Sequence, residues 1–446
     1  MGKLKYLSPP LLAIFTVTSL YAANAERLEW TQIFIPLMLA STVSCLFMLL
    51  FWLLKYTSIN MPFVASVFTI VILCWNIMPV WLDIMLLVLS LIFSLQNHFK
   101  LRIEILSLIL IIANLVSIGQ GIFNHLNNKV NIQTTQIGIA KEGSPNIYFI
   151  VPDRMPSIDA MRESGIDCDI FLQALTERGF YVKTNQLSAD EYYPINPPDV
   201  DSTRTMRYFA SVLNEGLYIP LNIEYKSCLF NIKNGSIFKK LHELGYTTCN
   251  VATWFSETSN LPVDYNYRFK YITFLERIFQ DELSIAFFDR TIFNGLNLRV
   301  LESTSSQNSI ERKRLQWQFD EVTKISRSNG GPIFTLAHLM LPHEPYIYAD
   351  SRLGRVVQYY QEIIYAQDYL IRLIDSIREY DTDAVIIIQS DEGMAYAKPV
   401  ELNYDLSNTQ WNGVLTAWYI PGADKSILSE IKHTEILKYL IWDLYT

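Results

Sequence analysis

The feature that most constrains this chain is its beginning. Apolar runs follow one another near residues 7–24, 32–54, 61–78, 79–96 and 103–124. Each is close to the roughly 17 to 25 residues that a helix needs to cross a bilayer core. In hydrocarbon only helices and closed barrels satisfy their own backbone, so the runs predict a transmembrane domain of about five helices over residues 1–125. Asn76-Ile77-Met78-Pro79 reads as the tip of a tight hairpin between the third and fourth spans, with Asp83 near the start of the fourth, because proline cannot continue a helix. The first run has a second reading as a cleaved signal peptide, with Ala22-Ala23-Asn24-Ala25 as a small-residue cleavage site. The four later spans tie the chain to a membrane under either reading.

Basic residues in the short loops set the orientation. Lys3, Lys5, Lys55, Lys100 and Arg102 fall at alternate ends of the spans, on what must then be the cytoplasmic side. Five crossings from a cytoplasmic N-terminus place everything after residue 125 outside the cytoplasm, which implies a multi-pass inner-membrane protein with an outer C-terminal domain.

Charge divides unevenly along the chain. Residues 1–130 carry seven basic and four acidic side chains, leaving 29 basic and 40 acidic in the remainder. That acidic balance argues against a nucleic-acid partner, which needs a basic surface to displace counterions. With 13% aromatic residues and no low-complexity tract, the outer part is also no candidate for disorder. Its three cysteines, Cys168, Cys228 and Cys249, allow one disulfide at most and match no zinc spacing.

Residues 126–143 are polar and without periodicity and read as a linker. From 144 to 446 the pattern becomes α/β. Asn146 to Val151 is a short, continuous, β-branched and aromatic run, as in a strand buried on both faces of a mostly parallel sheet. Similar runs recur at Thr247–Ala252, Ile333–His338, Ala384–Gln389 and Leu415–Ile420, separated by helical patterns at 167–178, 236–244, 310–327 and 355–379. This alternation predicts a doubly wound sheet, whose ligands bind beyond the carboxyl ends of the strands.

The strand ends carry a distinct chemistry. The first strand runs into Pro152-Asp153-Arg154, and the strand at 384–389 into Ser390-Asp391-Glu392-Gly393. Three carboxylates at two buried strand ends repel one another unless a cation lies between them, and one divalent ion is the simplest account. The alternative is an Asp153 that caps a turn and an ordinary polar loop at 391–393; spacing alone leaves both open.

Asn146 to Asp153, Phe180-Tyr181-Val182, Thr205 to Asn214, Gly235 to Thr248, His338 to Pro345 and Ile386 to Asp391 together resemble the sulfatase-like hydrolase/transferase family of the alkaline phosphatase superfamily. With membrane spans ahead of the domain, the chain looks like lipoteichoic acid synthases and phosphoethanolamine or phosphoglycerol transferases. The resemblance implies an alkaline-phosphatase-like fold and a nucleophile at a helix start beside a metal. Thr205 matches that position, with Ser202 and Thr203 as rivals two or three residues away, Ser202 fitting a helix N-cap better. The implied metal set is Asp153, Thr205, Asp391 and Glu392, in which Glu392 stands where the family usually has histidine.

An all-oxygen set suits one divalent ion of the manganese or magnesium kind, with zinc possible. His343 matches the family's substrate-side histidine; His338, Arg204 and Arg207 are further candidates for holding the phosphate, His338 having a core role as its alternative. Trp254 either lines the head-group side or simply packs. No Cys/Ser-x-Pro-x-Arg motif surrounds Thr205, which argues against formylglycine sulfatase chemistry. The implied function is transfer of a phospho-alcohol group from a membrane phospholipid donor to a cell-envelope glycan or glycolipid acceptor through a threonine-bound intermediate. Two alternatives stay open: a metal-dependent phosphodiesterase or phosphatase, and a catalytically silent domain that binds an envelope polymer or partner.

Overall fold

The computed structural model describes residues 7–24, 30–53, 61–74, 84–89, 103–127, 138, 141, 143–188, 204–220, 222–270, 282–292, 304–328, 331–394 and 407–444. They form two compact units, one of Met1–Lys129 with Lys270–Ser306 and one of Val130–Phe269 with Gln307–Thr446.

The first unit is helical. Helices Ser8–Asn24, Phe34–Leu53, Met61–Leu73 and Ile103–Asn127 coincide with four of the five apolar runs; of the run at 79–96 only 84–89 is described, and it is helical. The hairpin tip at 76–79 and most of the 126–143 linker lie outside the described residues. Among those, one stretch, Thr31–Leu50, has the length and composition to cross a membrane, with shorter apolar helices at Phe63–Leu73 and Ile109–Gln120.

The first helix packs against the other three. Polar contacts fix its pairing: Thr18 donates to Asn114 Oδ1 at 2.9 Å, Asn114 Nδ2 donates to the Leu11 carbonyl at 3.1 Å, and the Ser8 and Ser66 hydroxyls lie 2.8 Å apart. Between apolar helices such contacts specify which faces meet. The unit also takes in a helix, Glu282–Arg290, that the sequence reading assigns to the outer domain. Its Leu283 and Phe287, one turn apart on a single face, are buried with Ala13, Val17 and Leu20 of the first helix.

The second unit is built on a seven-stranded sheet of order β2-β7-β6-β1-β5-β3-β4. The strands are β1 Ile147–Pro152, β2 Tyr181–Val182, β3 Thr247–Val251, β4 Tyr265–Tyr267, β5 Ile333–Leu339, β6 Val385–Gln389 and β7 Thr416–Tyr419. All five strands expected from the sequence are present. The two additional ones, β2 and β4, are edge strands of two and three residues, too short to show a period of two. Pairing is parallel from β6 through β1, β5 and β3 to β4, and antiparallel at β7 and β2.

Alternate residues of the central strands face opposite cores. Tyr148 and Ile150 of β1 join Ile386 and Ile388 of β6 under the Arg355–Tyr380 helix, which contributes Ile363, Leu370 and Ile374. Ile147, Phe149 and Val151 face the other side, with Val385, Ile387 and the Arg204–Val212 helix, through Met206, Phe209 and Val212. Helices thus cover both faces, which is why these strands read as continuous apolar runs.

Gln389 ties the strand ends to the Arg204–Val212 helix. It is fully buried; its Oε1 accepts from Trp418 Nε1 at 3.0 Å, and its Nε2 donates to Tyr208 Oη at 2.7 Å and to the His433 carbonyl at 3.0 Å. Gln389→Leu strands the Trp418 N–H and the His433 carbonyl, at about 1–3 kcal/mol each. Thermal unfolding of the full chain in detergent, followed by near-UV circular dichroism, is therefore expected to show a clear fall in Tm; an unchanged Tm would mean that the network anchors nothing.

Candidate active site

The parallel core brings three strand ends to one edge of the sheet. β1 lies between β5 and β6, and its register sets Val151 beside His338. Two residues further on, Asp153 is held by its backbone N–H to the Leu339 carbonyl at 2.8 Å. Asp391 follows β6 by two residues. Asp153, His338 and Asp391 are all buried, and each offers a ligand atom within 4.8 Å of the others. His338 Nε2 is 3.2 Å from Asp153 Oδ2, while its Nδ1 is 3.1 Å from the Thr258 hydroxyl beyond β3. Phe209 and Phe255 pack on the ring, with centroids 4.8 and 5.7 Å away. The Thr258 contact at Nδ1 orients the ring so that Nε2 faces the carboxylates.

Thr205 completes this cluster. It is the second residue of the Arg204–Val212 helix, every residue of which is buried, and its hydroxyl donates to Asp391 Oδ2 at 2.6 Å. Ser202 and Thr203, the rival positions, lie outside the described residues.

Glu392 departs from the expected ligand set. Its Oε1 accepts from Arg154 Nε at 2.7 Å, and its Oε2 is 3.9 Å from Arg204 Nε. The carboxylate is thus turned into an arginine fork, and the nitrogen donor of the cluster is His338 from β5. Arg154 is a residue the sequence reading left without a role. It has φ of 65°, a conformation that costs a non-glycine residue about 1–3 kcal/mol. That turn lets its backbone N–H donate to Asp391 Oδ1 at 3.2 Å while its side chain serves Glu392, and Tyr359 Oη donates to its carbonyl at 2.6 Å. No sequence signal marks a strained arginine after a strand. Gly393 seats the loop: a Cβ there would lie 2.5 Å from the Gly413 carbonyl.

Arg204 and Arg207 are both buried. Arg204 Nη2 donates to Asn412 Oδ1 at 2.7 Å, a contact made by the short helix Asn408–Asn412, distant in sequence. His343 lies on the segment after β5, edge-on to Trp254 with ring centroids 5.5 Å apart. The two side chains therefore belong to one neighbourhood, Trp254 packing on the histidine. Cys168, Cys228 and Cys249 are all buried free thiols.

Electrostatics set the two aspartates apart. Burial works against the Asp153 charge, but His343, His338 and Arg154 outweigh it and hold its carboxyl down at about 2. Asp391 is pushed well above the usual carboxylate range by burial, then by Asp153 and Glu392, against the Thr205 hydroxyl and the Arg154 N–H. Burial lowers His343, with Asp153 drawing it the other way, so its imidazole is neutral near pH 7. A buried carboxylate that resists ionising beside one that stays ionised favours either a proton or a cation between them. Asp153 Oδ1 is buried without a hydrogen-bond partner, its closest cationic atom being Arg154 Nε at 3.7 Å. An unsatisfied carboxylate oxygen, a second carboxylate, an imidazole nitrogen and a hydroxyl fit a divalent ion. With nitrogen in the set, zinc suits it as well as manganese or magnesium.

No family profile and no curated protein sequence matches the chain. Solved structures do. The integral membrane lipooligosaccharide phosphoethanolamine transferase A (EptA) from Neisseria meningitidis is 12% identical, covering 97% of this chain and 94% of its own, with a TM-score of 0.40. The C-terminal periplasmic domain of EptC from Escherichia coli, in complex with zinc, is 11% identical over 68% of this chain and 83% of its own, with a TM-score of 0.38. The lipoteichoic acid synthase LtaP from Listeria monocytogenes is 12% identical over 66% and 72%, with a TM-score of 0.30. The chain is thus similar to phosphoethanolamine transferases and to a lipoteichoic acid synthase, the proteins that its sequence motifs resemble.

Proposed function

We propose that this chain is a metal-dependent phosphotransferase of the inner membrane, which moves a phospho-alcohol group of the phosphoethanolamine or phosphoglycerol type from a membrane phospholipid to an envelope glycan or glycolipid. The observation that carries the reading is the 2.6 Å hydrogen bond from Thr205 to Asp391 beside the buried Asp153–His338 pair. With a cation bound to keep Asp391 ionised, a hydroxyl so placed would have a carboxylate to receive its proton and positive charge to favour its alkoxide.

In the first half-reaction Thr205 Oγ1 forms a bond to the donor phosphorus as the bond to the diacylglycerol oxygen breaks. The proton leaving Thr205, taken first by Asp391, is the one the departing oxygen requires. In the second, an acceptor hydroxyl bonds to the phosphorus of the phosphothreonine as the Thr205 Oγ1–P bond breaks, and the acceptor's proton passes by way of neutral His343 back to the Thr205 oxygen. A divalent ion held by Asp153, His338, Asp391 and Thr205 supplies positive charge to the reacting oxygens when bound. Arg204 and Arg207, buried on the nucleophile's own helix, are suited to the phosphate charge. Five crossings of the membrane would confine enzyme and lipid donor to one plane, which raises their effective concentration.

Three outcomes test the proposal. Thr205→Ala should lower turnover of a labelled phospholipid by at least about 1,000-fold, whereas Thr205→Ser retains part of it. Mass spectrometry of the quenched wild type should find the head-group phosphate on the peptide that carries Thr205. An adduct elsewhere would move the nucleophile, and free phospho-alcohol without a labelled glycan would make the enzyme a hydrolase.

Metal analysis of the full chain in detergent should give one divalent ion, lost in His338→Ala and Asp153→Asn and kept in Glu392→Gln. The reverse pattern would return the ligand role to Glu392.

For topology, a reporter active only outside the cytoplasm is expected to be active when fused after Thr134 and silent when fused at Tyr56. The opposite pattern would deny the site its outer-leaflet donor.

A further inference from the structure

The segment after β5 carries His343 and then passes over the Arg355–Tyr380 helix. From that helix Glu362, fully buried, reaches up and takes three consecutive backbone donors: the N–H of Ile347 at 3.1 Å, of Tyr348 at 2.9 Å and of Ala349 at 3.1 Å. Arg312, from the Thr304–Ser326 helix, grips the same turn by donating from Nε to the Ile347 carbonyl at 3.0 Å, and its guanidinium lies over the Tyr348 ring. Tyr348 in turn stacks on Tyr365, and Tyr346 meets Tyr359 with centroids 5.8 Å apart. At the near end of the segment, Glu344 pairs with Arg355. One helix therefore holds the His343 segment through Glu362 and the Arg154 carbonyl through Tyr359.

A carboxylate is an unusual choice for this position. Three amides converging on one side chain need acceptors only, and an ionised carboxylate is the side chain that offers several acceptor sites and no donor. A protonated carboxyl, or an amide, turns a donor toward N–H groups that have nothing to accept it. We propose that Glu362 is a proton-responsive positioning residue, whose ionised carboxylate clamps residues 347–349 and thereby fixes His343 at the site, and whose protonation loosens the clamp. The catalytic consequence rests on the phosphotransferase reading; the clamp itself does not.

The groups facing Glu362 set the pH at which this happens. Burial is the largest influence and raises its carboxyl, the three N–H groups and Arg312 pull it down, and it comes to about 7. Burial raises the phenols of Tyr348 and Tyr359 above their ordinary range, and Tyr365 and the Glu344–Arg355 pair complete the groups around the turn; Glu362 is brought close to neutrality. Because the folded value lies above the ordinary carboxylate value of 4.5, the folded chain binds the extra proton between about 4.5 and 7. Its global stability accordingly falls as pH rises through that window while the local clamp tightens. A side chain retained only for stability would behave in the opposite way at one of these two levels.

The test is hydrogen exchange of the full chain in detergent, read by mass spectrometry on the peptide spanning Glu344 to Asp350 and corrected for the intrinsic pH dependence of exchange. We expect the wild-type amides of 347–349 to be protected at least about tenfold more at pH 8 than at pH 6. In Glu362→Gln the protection should be low and independent of pH, while Tm near pH 8 is equal to or above that of the wild type. Protection that is the same at pH 6 and pH 8, or that survives in Glu362→Gln, would overturn the proposal. With a labelled phospholipid, Glu362→Gln should lower kcat more than it raises KM and remove an inflection near pH 7. If no turnover is found in the wild type, the phosphotransferase reading falls, and the exchange data alone decide the clamp.

Discussion

Two aspartates buried at the ends of adjacent parallel strands, with a histidine from a third, form the constraint on which the second unit turns. Like charges this close in a poorly polarisable interior cannot both stay ionised without compensation. The surrounding structure supplies it in layers. His338 and Arg154 face Asp153; Thr205 and the Arg154 N–H face Asp391; and Glu392 is drawn off to the Arg154 guanidinium. What remains is one buried carboxylate oxygen without a partner, and that remainder is what a divalent ion would satisfy.

Much of the fold serves to hold this arrangement. The helix that carries Thr205 is tied to β6 and β7 through Gln389, and the helix at 355–380 holds Arg154 through Tyr359 and the His343 segment through Glu362. Both cores of the sheet therefore contribute one rigid support each to the same edge. Such support matters because orientation at a reacting centre tolerates displacements well below 1 Å poorly. The strained backbone at Arg154 belongs to the same economy: a conformation that is unfavourable by itself persists where neighbours over-determine it.

The helical unit follows a different logic. Its apolar surfaces offer little discrimination between partners, so a few polar contacts, Thr18 to Asn114 and Ser8 to Ser66, set which faces meet. The Glu282–Arg290 helix joins this unit because Leu283 and Phe287 form an apolar pair one turn apart, and the bundle offers a matching surface in Ala13, Val17 and Leu20. A helical period tells that such a face must be buried; it does not tell where.

By itself the sequence determined the elements that repeat a strong local signal. Four of the five apolar runs of the first 125 residues, and the five strands and four helices expected of the α/β part, are local patterns of hydrophobicity, and each coincides with an element of the structure. Asp153 and Asp391 were legible as candidates because the strand-end rule places them, and Thr205 through the family resemblance. Only the tertiary structure decided which carboxylate turns away and which nitrogen turns in. Residues 391 and 392 are neighbours in sequence but face different partners, and that choice depends on the positive φ of Arg154 and on the β1–β5 register, which sets His338 beside Val151 and so within reach of Asp153. The clamp at Glu362 was equally illegible, since a glutamate on an amphipathic helix reads as a solvated charge until three backbone amides from elsewhere in the chain are found pointing at it.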